Sequence, residues 1–469
     1  MSPVRKSVTR VSGMNKNVLM AGAGKADITP EMGIQLAGDI GRYRPTEEIR
    51  ERLYARALVL ESGPTRICLV TLDLLAITTE WSDEIRRRIA ARFGFETKNI
   101  VIHVLQNHAS PSIGHNFIRD TCLLMPPEYP WLRGGDERYN EPAVSAILDA
   151  VATAVAGGTP VTMQAGRGID GRLAFNRRFI MRDGTALCHP TNCDPNILYI
   201  EGPADPEVGI IRLTGADGRD VSRLLHFTSH PCHGYPERYV IADWPGCWAE
   251  QMQAEAGAPC VPLTLNGCCG NIHHNDHLSL NPRNDHLKMT EQLMETSQVA
   301  MQRMTDLVTV PLALRRTVLK LPLRRLDKAY VAAARKLLKA HPEPMWIDKE
   351  KTRVSWDWVF ATGTLDLADV QKKTMVCPYE VQAIRIGDAA IVSLMGEPFV
   401  ESQLEIKLKS PAKFTFVSHF CNGYVGYIPT RHALARGGYE SRASNGSRFA
   451  PEALEIITKT AIKLLKELF

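Results

Sequence analysis

Apolar positions along the chain fall into short unbroken runs, separated by stretches that follow helical spacing. The runs at 57–61 (ALVLE) and 67–77 (ICLVTLDLLAI), bracketed by Ser62-Gly63-Pro64, predict buried strands. Residues 82–93 predict a helix with Ile85, Ile89 and Phe93 on one face, and 99–106 a third strand running into NHASPSIGHN. That strand–helix–strand order predicts an α/β core. Residues 109–140 carry Pro111, Pro126-Pro127, Pro130 and Gly134-Gly135 and read as a long functional or mobile loop. Beyond them, 143–156 predicts a helix, 161–240 short strands and turns, 248–255 a helix and 261–267 a strand. Residues 317–340 combine a strand with a helix, and the polar, Trp-bearing 341–375 reads as an insertion or subdomain. A hairpin around Gly387-Asp388 spans 380–399 and ends at Gly396-Glu397. A helix at 399–409, a strand at 414–420 and a closing helix at 451–469, apolar at Leu454, Ile457, Ala461 and Leu465, complete the pattern. No internal repeat interrupts it. The expectation is an α/β protein with mixed β-sheets flanked by helices in one elaborate domain. Residues 1–18 are expected to be a flexible polar leader and 19–469 the domain, with an insertion at about 320–375.

Charge adds little. The 56 Lys+Arg against 51 Asp+Glu leave +5 over 469 residues, too weak to argue for nucleic acid, and no basic stretch is interleaved with aromatics. The 11 cysteines form no CxxC…CxxC pair, which suits reduced thiols in a reducing compartment. The leader has basic residues but no apolar segment, and no window approaches 18 consecutive apolar residues. A cytoplasmic protein acting on a small molecule is expected, without stable membrane insertion or a nucleic-acid partner; a homo-oligomer remains compatible.

Four clusters carry metal-capable side chains at strand ends, where α/β proteins place their sites. Gln106-Asn107-His108-Ala109-Ser110-Pro111 closes a buried strand, and His108 there either faces a cleft or caps the turn. His230-Pro231-Cys232-His233 follows another strand and could offer two imidazoles, ahead of Asp243-Trp244-Pro245-Gly246. The segment 266–277 (NGCCGNIHHNDH) reads either as a ligand loop around His273 or as a solvated histidine-rich loop. Gly396-Glu397-Pro398, Tyr424 to Thr430 (YVGYIPT) and Gly437-Gly438-Tyr439-Glu440 join a carboxylate to tyrosines in glycine-rich loops, fit for acid–base work or metal binding. Gly22-Ala23-Gly24 lacks the context of a dinucleotide site, and no GxSxG or HExxH is present.

Read in order, these pieces resemble the neutral/alkaline non-lysosomal ceramidase family, in its shorter bacterial form. The likeness runs from Gly24-Lys25-Ala26-Asp27-Ile28-Thr29-Pro30 through Arg56-Ala57, Asp73, NHASP, Phe175-Asn176-Arg177-Arg178 and 202–209 (GPADPEVG). It continues through the His230 turn, ADWPG, NGCCGN, GEPF and NGYVGYIPT…GGYE. No single piece decides; the ordered set is specific.

The resemblance implies a zinc-dependent amidohydrolase. Its metal set would fall on His230, Glu397 and Tyr427, with His108, while Arg177 and Tyr439 would face the scissile amide or the oxyanion. Three departures stand out. The family's first strand-end histidine falls on Gln106, a poor neutral ligand, so His108 is recruited, the HHND loop helps, or metal binding is lost. Gln106, His233, Asp243 and His273 are therefore additional candidates. Gly270-Asn271 stands where the family has Gly-Asp, and no serine stands in that turn. The extra C-terminal β-domain of ceramidases is expected to be missing, which makes a soluble amide a better substrate than ceramide. In the expected chemistry a divalent ion lowers the pKa of water from 15.7 towards about 7. His108 moves the proton, and Arg177 and Tyr439 steady the oxyanion. The alternatives are another hydrolase or lyase reaction on this scaffold, or a non-catalytic ligand-binding member.

Overall fold

The computed structural model describes residues 18–282 and 285–469; the polar leader lies outside the described residues except for its last residue. A nine-stranded sheet carries the strands, in order, Leu263–Asn266, Asp220–Phe227, Glu207–Gly215, Thr159–Ile169, Met20–Asp27, Tyr54–Ser62, Thr65–Leu72 and Ile100–Val104, with Thr305–Leu307 on Thr159–Ile169. Its two outermost pairs are parallel and the pairs on the main path between them antiparallel. A second sheet of four strands, Leu312–Pro322, Val376–Ile386, Ala389–Leu394 and Phe414–Ser418, again ends in a parallel pair.

The two sheets pack face to face. Leu58, Leu60, Leu69 and Leu213 of the first meet Ile384, Ile391 and Phe416 of the second in one apolar cluster. The alternate residues Ala57, Val59 and Val70 point the other way, onto helices Thr79–Phe93 and Glu137–Ala156. Period-two chains buried on both faces read in sequence as unbroken apolar runs, which is why 57–61 looks uniform. Helix Ala453–Leu468 covers the outer face of the second sheet through Leu454, Ile457, Ala461 and Leu465. The molecule is therefore helix, sheet, sheet, helix, as the mixed α/β expectation requires.

Helix Glu137–Ala156 begins before the sequence pattern suggests. Asp136 caps it through Arg138 N at 3.1 Å, and Pro142 lies inside the helix. A proline at that point favours a later helix start when the pattern alone is read. Gly22 and Gly24 face this helix so closely that a Cβ on either would come 2.2 Å from a helix carbonyl oxygen. The glycine pair serves backbone packing, not phosphate binding. None of the 11 cysteines is in a disulfide, and among the described residues no helix is long and apolar enough to cross a membrane.

The edge strands of the large sheet meet at one histidine. His103 Nε2 accepts from Asn266 N at 2.9 Å, and its Nδ1 donates to the His419 carbonyl at 2.7 Å. That buried ring joins strand Ile100–Val104, strand Leu263–Asn266 and the end of Phe414–Ser418. The carboxyl ends of the parallel strands therefore converge, and the crevice beyond them is where an α/β protein holds its ligand.

Candidate active site

Gln106, His230, Glu397 and Tyr427 each follow one of these strand ends. Past Ile100–Val104 the chain turns at Gln106, whose φ of 67° is left-handed. A non-glycine residue held there is uncommon and must be fixed by its surroundings. Asn107 fixes the turn, its Nδ2 donating to Ile241 O at 2.6 Å and its Oδ1 accepting from Ala109 N at 2.9 Å. His108 follows, its own N–H bonded to Pro231 O at 3.0 Å, so the two histidine turns are stitched together. His108 Nδ1 donates to Gly38 O at 2.9 Å. Position 38 must be glycine, because a Cβ there would stand 2.3 Å from the His108 carbonyl oxygen.

Glu397 begins a two-residue parallel pairing with Tyr427-Ile428 and sits opposite Tyr427. Its carboxylate accepts from Gln106 Nε2 at 2.5 Å and from the Tyr424 hydroxyl at 3.2 Å. His230 lies behind it, fully buried, with Nε2 3.3 Å from Glu397 Oε2. The tautomer follows from its neighbours. His230 Nδ1 faces the carbonyls of Cys269 at 2.6 Å and Ile272 at 3.0 Å, which only accept, so Nδ1 holds the proton. Nε2 is then a lone pair without a hydrogen-bond partner, directed at a carboxylate oxygen. His108 Nε2 is also buried without a partner, by the same logic. Two acceptors facing each other at 3.3 Å call for a proton or a cation between them. Backbone-anchored Nδ1–H with a free Nε2 is also how a metal-binding histidine is held.

Burial dominates the titrations. It lowers His108 to about 4 and holds His230 well below the ordinary imidazole value, so both rings are neutral at neutral pH. It raises the Glu397 carboxyl and pushes the Tyr424 and Tyr427 phenols well above 10. Arg177, buried and charged, donates from Nε to Glu440 Oε1 at 2.9 Å and from Nη2 to Gly270 O at 2.8 Å. Burial would raise Glu440, but the Arg177 and Arg178 guanidiniums prevail and hold it at about 2.

His108, Gln106, Glu397, Tyr424, Tyr427 and Tyr439 line one small inner cavity. It opens into a wider cleft onto which Arg177, His273 and His274 also face. Tyr439 is 40% exposed and stands at the mouth, 5.8 Å from the Tyr427 ring. His233 and Asp243 are elsewhere: His233 Nδ1 bonds Asp243 Oδ1 at 2.7 Å behind the cleft wall, with Asp243 at a φ of 53°. Among the described residues, Glu51, Cys247 and His286 are the one trio of His, Cys, Asp or Glu whose ligand atoms all lie within 4.8 Å of one another. His108, His230 and Glu397 do not draw together that closely. The trio is already satisfied internally, with Glu51 accepting from His286 at 2.8 Å, Cys247 at 3.2 Å and Ala242 N at 2.8 Å.

Sequence reasoning passed over Asp39, Tyr235, Trp356, Phe360 and Arg442, which also line the cleft. Trp356 and Phe360 come from the segment read as an insertion; its helix Trp356–Gln371 forms a cleft wall. Their i, i+4 spacing was the available signal. The Glu51 trio, spread over 236 residues of sequence, offered none.

Comparison with known proteins agrees with the ordered motifs. Residues 19–169 match the family described as neutral/alkaline non-lysosomal ceramidase, N-terminal. The fold is similar to that of a ceramidase complexed with C2, with a TM-score of 0.70 and 15% identity over 96% of this chain and 75% of that one. It is also similar to neutral ceramidase from Pseudomonas aeruginosa, with a TM-score of 0.68 and 16% identity over 97% of this chain and 75% of that one.

Proposed function

We propose that this chain, which resembles the neutral/alkaline non-lysosomal ceramidases in fold and in residues 19–169, hydrolyses an amide bond in a small molecule with the help of a divalent cation, zinc by the chemistry of its donors. The observation that carries the reading is the buried His230 Nε2 lone pair facing Glu397 Oε2 at 3.3 Å. Imidazole nitrogen, carboxylate and phenol suit zinc, and a catalytic zinc takes three protein ligands and keeps one position open. His230, Glu397 and Tyr427 are that set. When bound, the cation would polarise the amide carbonyl and acidify the attacking water.

The remaining groups act around it. His108 reaches the cavity with a free Nε2 and is neutral at working pH, so it takes the water proton and passes it to the leaving amine. It stands too far from the other donors for the close trio, which favours this base role over the ligand role. The Tyr439 hydroxyl, a neutral phenol at working pH, donates to the developing oxyanion. Arg177 supports the same charge from behind Tyr427, its guanidinium carbon 5.5 Å from that ring.

One observation favours a second reading, a ligand-binding protein without turnover. Gln106 already supplies Glu397 with a donor at 2.5 Å, which lessens the need for a cation. Elemental analysis of the purified protein, with His230→Ala and His108→Ala beside it, separates the two. Our reading expects about one zinc per chain, lost in His230→Ala and kept in His108→Ala, with amide hydrolysis lost in both. Full metal content and full activity in His230→Ala would reject it.

A further inference from the structure

Resting on that reading, we propose that the amide substrate carries a carboxylate close to the scissile bond, as an acylated amino acid does, and that Arg442 binds it. Arg442 follows the short helix Tyr439–Ser441. It lines the same inner cavity as Glu397 and His108, the wider cleft, and the outer groove beside helix Lys328–Ala340. Among the described residues, no other charged side chain lines all three.

Its guanidinium is unspent. Of the two arginines on the inner cleft, Arg177 is committed to Glu440 and Gly270 O. The Arg442 side chain donates no hydrogen bond to any described residue; its one anionic neighbour among them is Asp357, 3.7 Å away and 72% exposed. A rim pair at that distance holds the group weakly. Its position is nonetheless defined, because the guanidinium carbon lies 4.6 Å above the Phe360 ring, and Phe360 packs on Trp356 at 5.5 Å and Tyr439 at 6.0 Å. An arginine stacked on an aromatic keeps its edge donors free and oriented, the arrangement that suits two-point recognition of a carboxylate.

The cleft's other charges do not compete. Asp39 is spent on Gly41 N at 2.9 Å, Arg42 at 3.3 Å and the Tyr235 hydroxyl at 3.0 Å. Glu397 is at the far end, with Gln106 and Tyr424. The outer groove adds Arg324 and Arg325, so the approach past Arg442 is not anionic overall. Glu397 and Arg442 line the same inner cavity, so a substrate spanning it can present its amide to one and its acid to the other.

The test compares N-acetyl-L-phenylalanine with its primary amide, matched in size, and with N-acetylphenethylamine, which carries hydrogen in place of the carboxyl group. Wild type should prefer the acid in kcat/KM by about 10- to 100-fold, the range for one charge-assisted hydrogen-bonded pair. Arg442→Met should collapse that ratio through KM, Arg442→Lys should restore part of it, and Asp357→Asn should raise it. A wild-type ratio near one, or a ratio unmoved in Arg442→Met, overturns the proposal. If none of the three is hydrolysed, the amidase reading fails, and calorimetric binding decides the subsite. Tighter binding of the acid that vanishes in Arg442→Met upholds it; equal binding of acid and amide ends it.

Discussion

The Gln106 side-chain amide donates to Glu397 Oε2 over 2.5 Å, and the same oxygen lies 3.3 Å from His230 Nε2. Gln106 therefore occupies the corner where a further ligand would stand, and it does so as a donor rather than an acceptor. Its own Oε1 accepts from the Cys269 thiol at 3.2 Å, which fixes the amide orientation. Replacing Gln106 by His would supply a lone pair in that corner. Zinc affinity measured by competition with a chelator should rise at least about tenfold, since even a change in a ligand's supporting partner moves affinity by 10- to 100-fold. Unchanged affinity would place the cation elsewhere.

Tyr427 is neutral at neutral pH and sits across from Glu397. Tyr427→Phe removes a proposed cation ligand, so it should reduce metal content and lower kcat with it. Tyr439→Phe should lower kcat by about 100-fold, the usual loss for one donor at the reacting oxygen, with metal content intact. Steady-state kinetics paired with metal analysis distinguishes the two tyrosines.

The resemblance gives Arg177 a substrate-facing role, but its Nε and Nη2 donors bind Glu440 and a backbone carbonyl in a buried pair. Removing one partner of such a pair leaves an uncompensated charge and costs about 3–5 kcal/mol. Glu440→Gln should lower the unfolding free energy by that amount in denaturant titrations, and Arg177→Met by less, because Arg178 Nη1 still donates to Glu440 Oε2 at 2.7 Å. The double variant should recover part of the loss. Activity lost at full stability would instead assign Arg177 to chemistry alone.

Stability should fall on mild acidification. Burial lowers His103 and His108 to about 4 and His226 to about 3. The unfolded chain takes up these protons near pH 6.5, while the folded chain refuses them. The contribution is complete above pH 6.5 and is lost as pH falls towards 4, at about 1.4 kcal/mol per pH unit for each histidine. Glu397, Asp73, Asp83 and Glu401, raised by burial, act in the opposite sense, but they are outnumbered by the histidines held low, which also include His189, His230, His273, His277 and His419. Thermal midpoints should drop steeply between pH 6.5 and 4.5; a flat profile would contradict the buried neutral state.

Gly38→Ala is a small change with a large expected effect. Its methyl would press on the His108 carbonyl and displace the oxygen that holds His108 Nδ1. Activity should fall by at least about tenfold, the penalty expected for slight misplacement of a reacting group. Circular dichroism should remain close to wild type.

Much of the architecture is legible in the amino-acid pattern. The α/β class follows from runs such as 67–77, and the strand-end turns announce themselves because polar residues abruptly end an apolar run, as at Gln106, His230 and Glu397. What the pattern cannot convey is which turns meet. Gln106 and Glu397 are 291 residues apart, and their contact depends on His103 joining three strand ends. The cleft's aromatic wall was hidden for a related reason. Trp356 and Phe360 lie in a segment whose overall polarity suggests an excursion from the fold, and only packing reveals that its apolar side turns inward. Arg442 carries no sequence signal, since an unspent arginine looks like any other.

The short pairing between Glu397 and Tyr427 has a consequence for how such a site can change over time. Both donors depend on a single two-rung ladder, so the loop leading to Tyr427 acts as a ruler. Deleting one residue between Phe420 and Tyr427 would bring Ile428 beside the carboxylate and turn the phenol away; inserting one would bring Gly426. Substitutions around the cleft can retune what enters it, but the length of that loop cannot drift without dismantling the centre.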